Sequence, residues 1–401
     1  MLNGKRWIYS EIDEREIEKL KNEMGISNLL SKALASRGIK DAENAGRFLK
    51  PDIKDLYNPF LLSDMEKAVD RITRAVTGRE KIILYGDYDV DGVTGTSILY
   101  DFLSELGGNV AYYIPDRLEE GYGLSIEALE LLIDQGSDLV VTIDCGITAV
   151  DEVSFAREKG IDMIITDHHE CKKTLPEAFA VVNPCKPGCK YPFKELAGVG
   201  VVFKLINAIC IKMGLGDMHF KYLDLVAIGT IADIVSLKDE NRIIAKYGID
   251  MIPGTSNIGL RALLNKSGLE GKPTGSYEIG YIIGPRINAA GRTGDAAEAV
   301  RLFTTKDASE ALSIAQKLEE ANALRQEIEQ TIYNQAIEIV ESQIDLEREK
   351  FIVAAREGWH HGVIGIVASR IIEKYYRPCI LISIDGNIGT GSGRSVEGFN
   401  L

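Results

Sequence analysis

The chain has 401 residues, 45% hydrophobic and 26% charged, which excludes a disordered or fibrous polypeptide and exceeds what one hydrophobic core usually serves. A formal net charge of −14 weighs against a polyanionic ligand without excluding one, because bound metal would neutralise several carboxylates and a local groove of arginines is invisible to the total. Six cysteines without regular spacing exclude a disulfide framework and point to a reduced cytosolic setting; Cys185 and Cys189 form a zinc-like pair with no matching second pair.

The N-terminal run MLNGKRWIYSEIDEREIEKLKNEMG is densely charged and carries no apolar stretch with a cleavage site, so no secretory signal is expected and the cytoplasm is the expected location. Residues 1–78 are expected to be a helical cap, with Leu29, Leu30, Ala33 and Leu34 on one face and Pro51 and Pro59 punctuating the later part of the segment. From Lys81, short β-branched runs alternate with helical patterns: KIILYGD, TGTSILYDFLSEL, VAYYIP, SIEALELLID, DLVVTID, AVDEVSFAREKG and IDMIITD. Such βα units predict an α/β fold with a largely parallel sheet. The apolar stretch from Ala197 to Leu215 carries Lys204, Asn207 and Lys212, so it is expected to be a buried helix rather than a membrane span, and a second apolar helix is expected over 219–232. Gly248 to Gly294 is expected to be rich in loops. Ile314, Leu318, Ala321, Leu324, Ile328 and Ile332 recur every three or four residues, predicting one long helix over 307–343 that bridges two domains. Beyond it FIVAAREG, VIGIVASRIIEKYY, CILISI and a glycine-rich loop, GTGSGRS, predict a smaller α/β domain. The chain stops at Leu401, six residues after that loop, so the fold is expected to continue further.

Asp87, Asp89 and Asp91 alternate directly after an apolar strand, and alternation places them on one side of an extended segment. The spacing also opens an EF-hand loop, but the twelfth position is Ile98 where a bidentate Glu is required, and a strand precedes it. Asp144 ends a second strand-like run and Asp167, His168 and His169 end a third. The carboxyl ends of parallel strands share one edge, where open α/β sheets bind ligands. A lone Asp there is more often a turn or helix-cap residue. Several together repel one another and need cations, and mixed carboxylate and imidazole ligands suit manganese or magnesium. Asp233 ends an apolar helical stretch and needs a partner if buried. A nucleotide-binding domain of ordinary doubly wound type would show a glycine-rich phosphate loop after the first strand, and neither form appears there.

The succession DYDVDG, TIDCGI, TDHHE and ADIV resembles the four metal-binding motifs of the DHH phosphoesterase superfamily, named for the run found here as Asp167-His168-His169. The resemblance implies two Mn2+ or Mg2+ ions and a catalytic set of Asp89, Asp91, Asp144, His168, His169 and Asp233. Asp87 is implied as a further metal ligand or, with Asp167 and His169, as an outer, phosphate-facing group. GPRINAAGR at 284–292, WHHGVIGIVASRI at 359–371 and GSGRS at 391–395 are similar to the superfamily's single-strand-specific DNA exonucleases, where the last two belong to a substrate-binding domain called DHHA1. By that likeness Arg286, Asn288, His360, Ser392, Gly393 and Arg394 contact substrate phosphates; His361 stands where the family more often has proline. The implied division is an N-terminal helical segment (1–78) packing on a DHH catalytic domain (79–306), a connecting helix (307–343), and a DHHA1 domain (344–401) that lacks the OB-fold usual in that branch. The implied activity is hydrolysis of single-stranded DNA from the 5′ end to mononucleotides in repair and recombination. Single-stranded DNA is the implied partner, with a single-strand-binding protein and a helicase beside it and no membrane. A DHH enzyme acting on short oligoribonucleotides or cyclic dinucleotides, and a non-catalytic replication scaffold, remain alternatives.

Overall fold

Side-chain alternation in the strands sets the layering. In β1 (Lys81–Gly86), Ile82 and Leu84 enter one buried cluster while Ile83 and Tyr85 enter another, and β3 (Leu139–Ile143) repeats this with Leu139, Val141 and Ile143 against Val140. A strand apolar on both faces requires helices on both sides, the condition met by parallel sheets. The structure, a computed structural model, describes residues 12–401 apart from 117–119, 122 and 294; the start of the expected helical cap, residues 1–11, lies outside them. Strands β2 (Asn109–Tyr113), β1, β3, β4 (Asp162–Thr166) and β5 (Ala180–Val182) lie in that order and all pair in parallel. The strand order reverses between β1 and β3, so the segments leaving them diverge and open a crevice at their carboxyl ends.

Around this sheet the helices mostly follow their apolar pattern. Gly198–Met213 and Leu223–Ala232 are almost entirely buried, and no helix among the described residues is long and apolar enough to cross a membrane. The N-terminal helices Glu14–Met24, Asn28–Ala35 and Ala42–Leu49 enclose a small core of Ile17, Leu20, Leu34, Ala35, Ile39 and Ala45. Leu29 is 79% exposed, so the buried face is rotated from the expected one toward Ser31 and Ala35.

The passage expected to be loops is instead largely helical: Asp239–Met251, Ile258–Lys266, a π-helical turn at Ile279–Ile283, and Gly284–Thr293. Some of its glycines serve close packing: Gly248 and Gly259 lie against the backbones of Leu223 and Leu302, where a side chain would not fit, whereas Gly268 and Gly271 take the left-handed conformation at chain turns. The long helix runs from Ala308 to Gln343, with Asp307 accepting from the amides of Ser309 and Glu310. Ala311, Ile314, Ala315 and Leu318 belong to the main core, and Ile332, Ala336 and Val340 to a second one. Between them Leu324 is 50% exposed, and Asn322 and Arg325 are the buried residues, joined at 3.0 Å with Arg325 also on Glu329 at 2.6 Å.

The second core belongs to a three-stranded sheet, β6 (Ile352–Glu357), β7 (Cys379–Asp385) and β8 (Ile388–Arg394), covered by the helix His361–Tyr375. β6 pairs with β7 in parallel and β7 pairs with β8 antiparallel, so GTGSGRS is a strand where a loop is expected. Its glycines face Ile380 and Ile382 of β7, whose side chains fill the space; tertiary packing overrides the low strand propensity of glycine.

Candidate metal centre

The crevice collects the acidic motifs. Asp87 follows β1 and is buried, and Asp89 caps the helix Val90–Glu105, accepting from the amides of Asp91 at 2.9 Å and Gly92 at 3.2 Å. The chain therefore turns into a helix at Val90, and Asp91 lies in its first turn rather than on the single extended segment that alternation predicts. Asp91 is only 1% exposed and accepts at 2.5 Å and 2.8 Å from the amides of Gly198 and Val199, the first residues of the helix Gly198–Met213. Those amides have no partner within their own helix, and the positive end of its dipole suits a carboxylate.

Asp144 follows β3 at φ +62°, a left-handed conformation uncommon for a residue with a side chain, and its amide donates to Thr166 O at 2.9 Å. A Cβ on Gly198 would lie 2.5 Å from Asp144 Oδ1, so the approach of this helix to Asp144 requires glycine. Asp167, after β4, is spent on positioning: Oδ1 accepts from the amides of His168 and His169 and meets His169 Nδ1 at 2.7 Å, and Oδ2 accepts from Ile147 N at 2.9 Å. His168 Nε2 then sits 3.1 Å from Asp144 Oδ1, 3.6 Å from Asp233 Oδ2 and 3.9 Å from Asp91 Oδ2.

The electrostatics of this arrangement demand positive charge. Burial, followed by the Asp89 charge, pushes Asp91 up to about 7. Burial and then Asp91 push Asp233 up to about 7, and burial with neighbouring carboxylates holds Asp144 well above the ordinary range. Burial keeps His168 below its usual value and hence neutral, the form that ligates metal. His169 is different: its hydrogen bond to Asp167 raises it to about 8. Burial works to raise Asp167, but the contacts from His169 and the backbone amides outweigh it and hold this carboxyl below the ordinary value. Three shielded atoms, Asp144 Oδ1, His168 Nε2 and Asp233 Oδ2, make no hydrogen bond. Ligand atoms converge within 4.8 Å in three overlapping groups: Asp87, Asp89 and Asp144; Asp91, His168 and Asp233; and Asp144, His168 and His169. Unsatisfied, mutually repelling oxygens beside a neutral imidazole form a donor set that fits hard divalent cations.

Comparison with known proteins agrees with this geometry. The profile of the "DHH family, N-terminal domain" matches residues 81–230, which run from β1 to the helix before Asp233. The single-stranded-DNA-specific exonuclease RecJ of Haemophilus influenzae is 38% identical over 403 residues, covering 97% of this chain and 69% of that protein. The chain belongs to the RecJ family. RecJ of Bacillus subtilis is 43% identical over 399 residues, or 99% of this chain, which spans 50% of that relative's length. The crystal structure of Thermus thermophilus RecJ in complex with Mn2+ superposes with a TM-score of 0.84 at 34% identity, covering 99% of this chain and 56% of that one.

Within this RecJ-family chain the residues expected to contact substrate are placed less uniformly than the acidic motifs. Asn288 Oδ1 accepts from Val90 N at 3.1 Å and so anchors the Asp87–Asp91 turn. Arg286 is held bidentately by Glu319 at 2.6 and 3.1 Å and donates to Ile282 O, engagements that a phosphate would have to displace. In the second domain, His360 caps the helix His361–Tyr375 and lines a groove of about 530 Å3 with Trp359, Arg356 and Leu324 of the long helix. Ser392, Gly393 and Arg394 lie together on β8, with Arg394 donating to Gly393 O and Ser369 Oγ. Arg292 donates to Gly362 O at 2.9 Å and ties the helix Gly284–Thr293 to the second domain.

Two features lie outside what sequence patterns bring forward. One is the grip of Gly198 and Val199 on Asp91, for which the only signal is a glycine at the start of an apolar run. The other is Tyr277 and Tyr281, stacked with ring centroids 4.9 Å apart and 64% and 72% exposed, on a helical turn that leads to Gly284. A Cβ added at Gly284 would lie 3.5 Å from Ala232 and 3.8 Å from Val90, so the end of that turn sits beside the segments that carry Asp233 and Asp91.

Proposed function

We propose that this chain is the catalytic part of a two-metal-dependent exonuclease that hydrolyses single-stranded DNA from the 5′ end to mononucleotides. The observation that carries the proposal is the convergence of three ligand groups, with three unsatisfied buried atoms, at the switch point of a RecJ-family sheet. Asp87, Asp89 and Asp144 would hold one Mn2+ or Mg2+ ion, and Asp91, His168 and Asp233 the other. When bound, such a pair supplies Lewis acidity to the attacking and leaving oxygens of an in-line displacement at phosphorus. The chain's own contribution is preorganisation: two helix-terminal amides hold Asp91, Asp167 fixes the direction of His169, and Asn288 pins the turn. His169, protonated at neutral pH and 45% exposed, would donate to a non-bridging phosphate oxygen.

Arg394, Ser392 and His360 would take further strand phosphates on the face of the second domain, a DHHA1 domain in this reading, with Tyr277 and Tyr281 offering π-faces to bases. A strand threaded between two domains joined by one helix excludes a duplex. In this reading the enzyme would work in the cytoplasm, beside a helicase and a single-strand-binding protein that expose its substrate. The test is nucleotide release from a 5′-labelled single strand and its duplex, with Mn2+, with chelator, and with Asp144→Ala. Metal-dependent release from the single strand alone, lost in the variant, is expected; turnover of dinucleotides but not strands, or an unaffected variant, would overturn the proposal.

A further inference from the structure

The helix Asp239–Met251 packs on the N-terminal helices around a cavity of about 220 Å3, separate from the metal centre, with Ile39, Phe48 and Ile243 among its walls. Four cations line it, Arg37, Arg47, Lys238 and Arg242, against two carboxylates, Asp55 and Asp239, in a chain of net charge −14. The carboxylates act on one of the cations, Arg47. Arg47 and Asp55 are 3.9 Å apart, and Asp239 accepts from Tyr57 Oη at 3.0 Å. Among the described residues no carboxylate lies within ion-pair distance of Arg37, Lys238 or Arg242.

The cations are nonetheless held in place. Arg242 donates Nε to Phe48 O at 2.5 Å and lies 3.7 Å over the Phe48 ring, which fixes its guanidinium plane while using one of five donors. Arg37 donates to Ala33 O at 2.9 Å. Burial and the Arg37 charge both hold Arg242 below the ordinary guanidinium range. Lys238 is also the cap residue of the helix Asp239–Met251 and offers it no capping oxygen, while Asp239 and Glu240 occupy the first turn of that helix.

We infer that this cavity binds a phosphate-bearing ligand, its oxygens taken by Arg37, Lys238 and Arg242. Planar guanidinium groups pair bidentately with phosphate, and the apolar wall beside Phe48 accepts a flat base or sugar. The phosphate could belong to a free nucleotide or to a DNA strand passing over the N-terminal helices, and the experiment separates these. Lys238 lies five residues after Asp233, so occupancy would bear on the segment that carries a candidate metal ligand.

The test is calorimetric titration of the whole chain, in chelator so that the acidic centre repels anions, with inorganic phosphate, thymidine 5′-monophosphate and a short oligothymidylate. Saturable binding of at least one probe is expected, weakened about tenfold or more in Arg37→Gln/Lys238→Gln, whose melting temperature without ligand should match the parent. Arg242→Lys, which keeps charge but loses the fork, should weaken binding as well. Tighter binding of the monophosphate assigns the site to free nucleotide, and tighter binding of the oligomer assigns it to the strand. Absence of saturable binding, or equal affinity in the double variant, overturns the inference. Neither result depends on whether the metal centre cleaves DNA.

Discussion

Gly198→Ala adds one methyl group at the point where the helix Gly198–Met213 touches the acidic cluster. The new Cβ would lie 2.5 Å from Asp144 Oδ1 and 2.7 Å from its Cβ and Cγ, against ordinary carbon contacts of about 3.5–4 Å. Roughly 1 Å of relief must come from Asp144 or from the helix. Asp144 is held by the hydrogen bond its backbone N–H donates to Thr166 O and by a left-handed backbone, and a shift of the helix would loosen the amides that hold Asp91. Overpacking of this kind costs about 1–3 kcal/mol, and a misplacement of about 1 Å at a reacting centre costs on the order of 10²-fold in rate. Gly200→Ala is the internal control: its Cβ would meet Leu196 no closer than 3.4 Å. Alanine within a helix gains roughly 0.5–1 kcal/mol over glycine. Mn2+ affinity by calorimetry, melting temperature and initial rates of nucleotide release should show Gly198→Ala weakened in all three and Gly200→Ala unchanged or stabilised. Wild-type metal affinity and rate in Gly198→Ala, or equal damage in both variants, would refute the close-approach reasoning.

Buried groups elsewhere carry further expectations. His219 is 5% exposed, accepts from Asn207, and is pushed down to about 4 by burial, so it stays neutral in the fold while the unfolded chain protonates near 6.5. Its folded value is the lower one, so stability is full above about pH 6.5 and falls toward pH 4, by up to about 3 kcal/mol; urea midpoints at pH 7.5 and 4.5 should differ less in His219→Asn, and an unchanged difference would count against this account. Lys204, almost fully buried, pairs with Glu240 at 2.5 Å, and Glu240 also accepts from Tyr57 N and Tyr191 Oη. Lys204→Met strands that carboxylate and should cost about 3–5 kcal/mol, whereas Lys204→Met/Glu240→Leu should recover part of it; denaturant unfolding of the pair distinguishes the cases, and a double variant no better than the single one would contradict the pairing. Tyr277→Ala/Tyr281→Ala should raise KM for single strands about 5- to 100-fold, for about 1–3 kcal/mol of stacking per base, with little change in melting temperature. A KM that does not move would remove these rings from the strand's path.

Much of the site could be read from the sequence because parallel sheets convert chain order into spatial convergence. Asp87, Asp144 and Asp167 each follow an apolar β-run, and strand ends in one parallel sheet share an edge, so local pattern alone brings DYDVDG, TIDCGI and TDHHE together. The long helix was legible for a similar reason, since a 3.6-residue period needs no knowledge of its partners. Glycine-rich segments were not legible. At Gly248 and Gly259 glycine marks where backbones touch, and in β8 it makes room for the side chains of Ile380 and Ile382, yet its sequence signal is the same as that of a loop. The roles of individual polar residues were hidden as well. The family likeness offers Arg286 and Asn288 as equivalent phosphate ligands, and the fold distinguishes them by engaging one with Glu319 and the other with Val90 N. Which oxygens of the acidic set are satisfied by amides and which are left for a cation depends on where Gly198 arrives, more than one hundred residues beyond Asp91. Residue type and strand-end position, set by short-range periodicity, therefore belong to the sequence; hydrogen-bond partnership, burial and charge state arise only when distant segments meet, and the tertiary structure alone decides them.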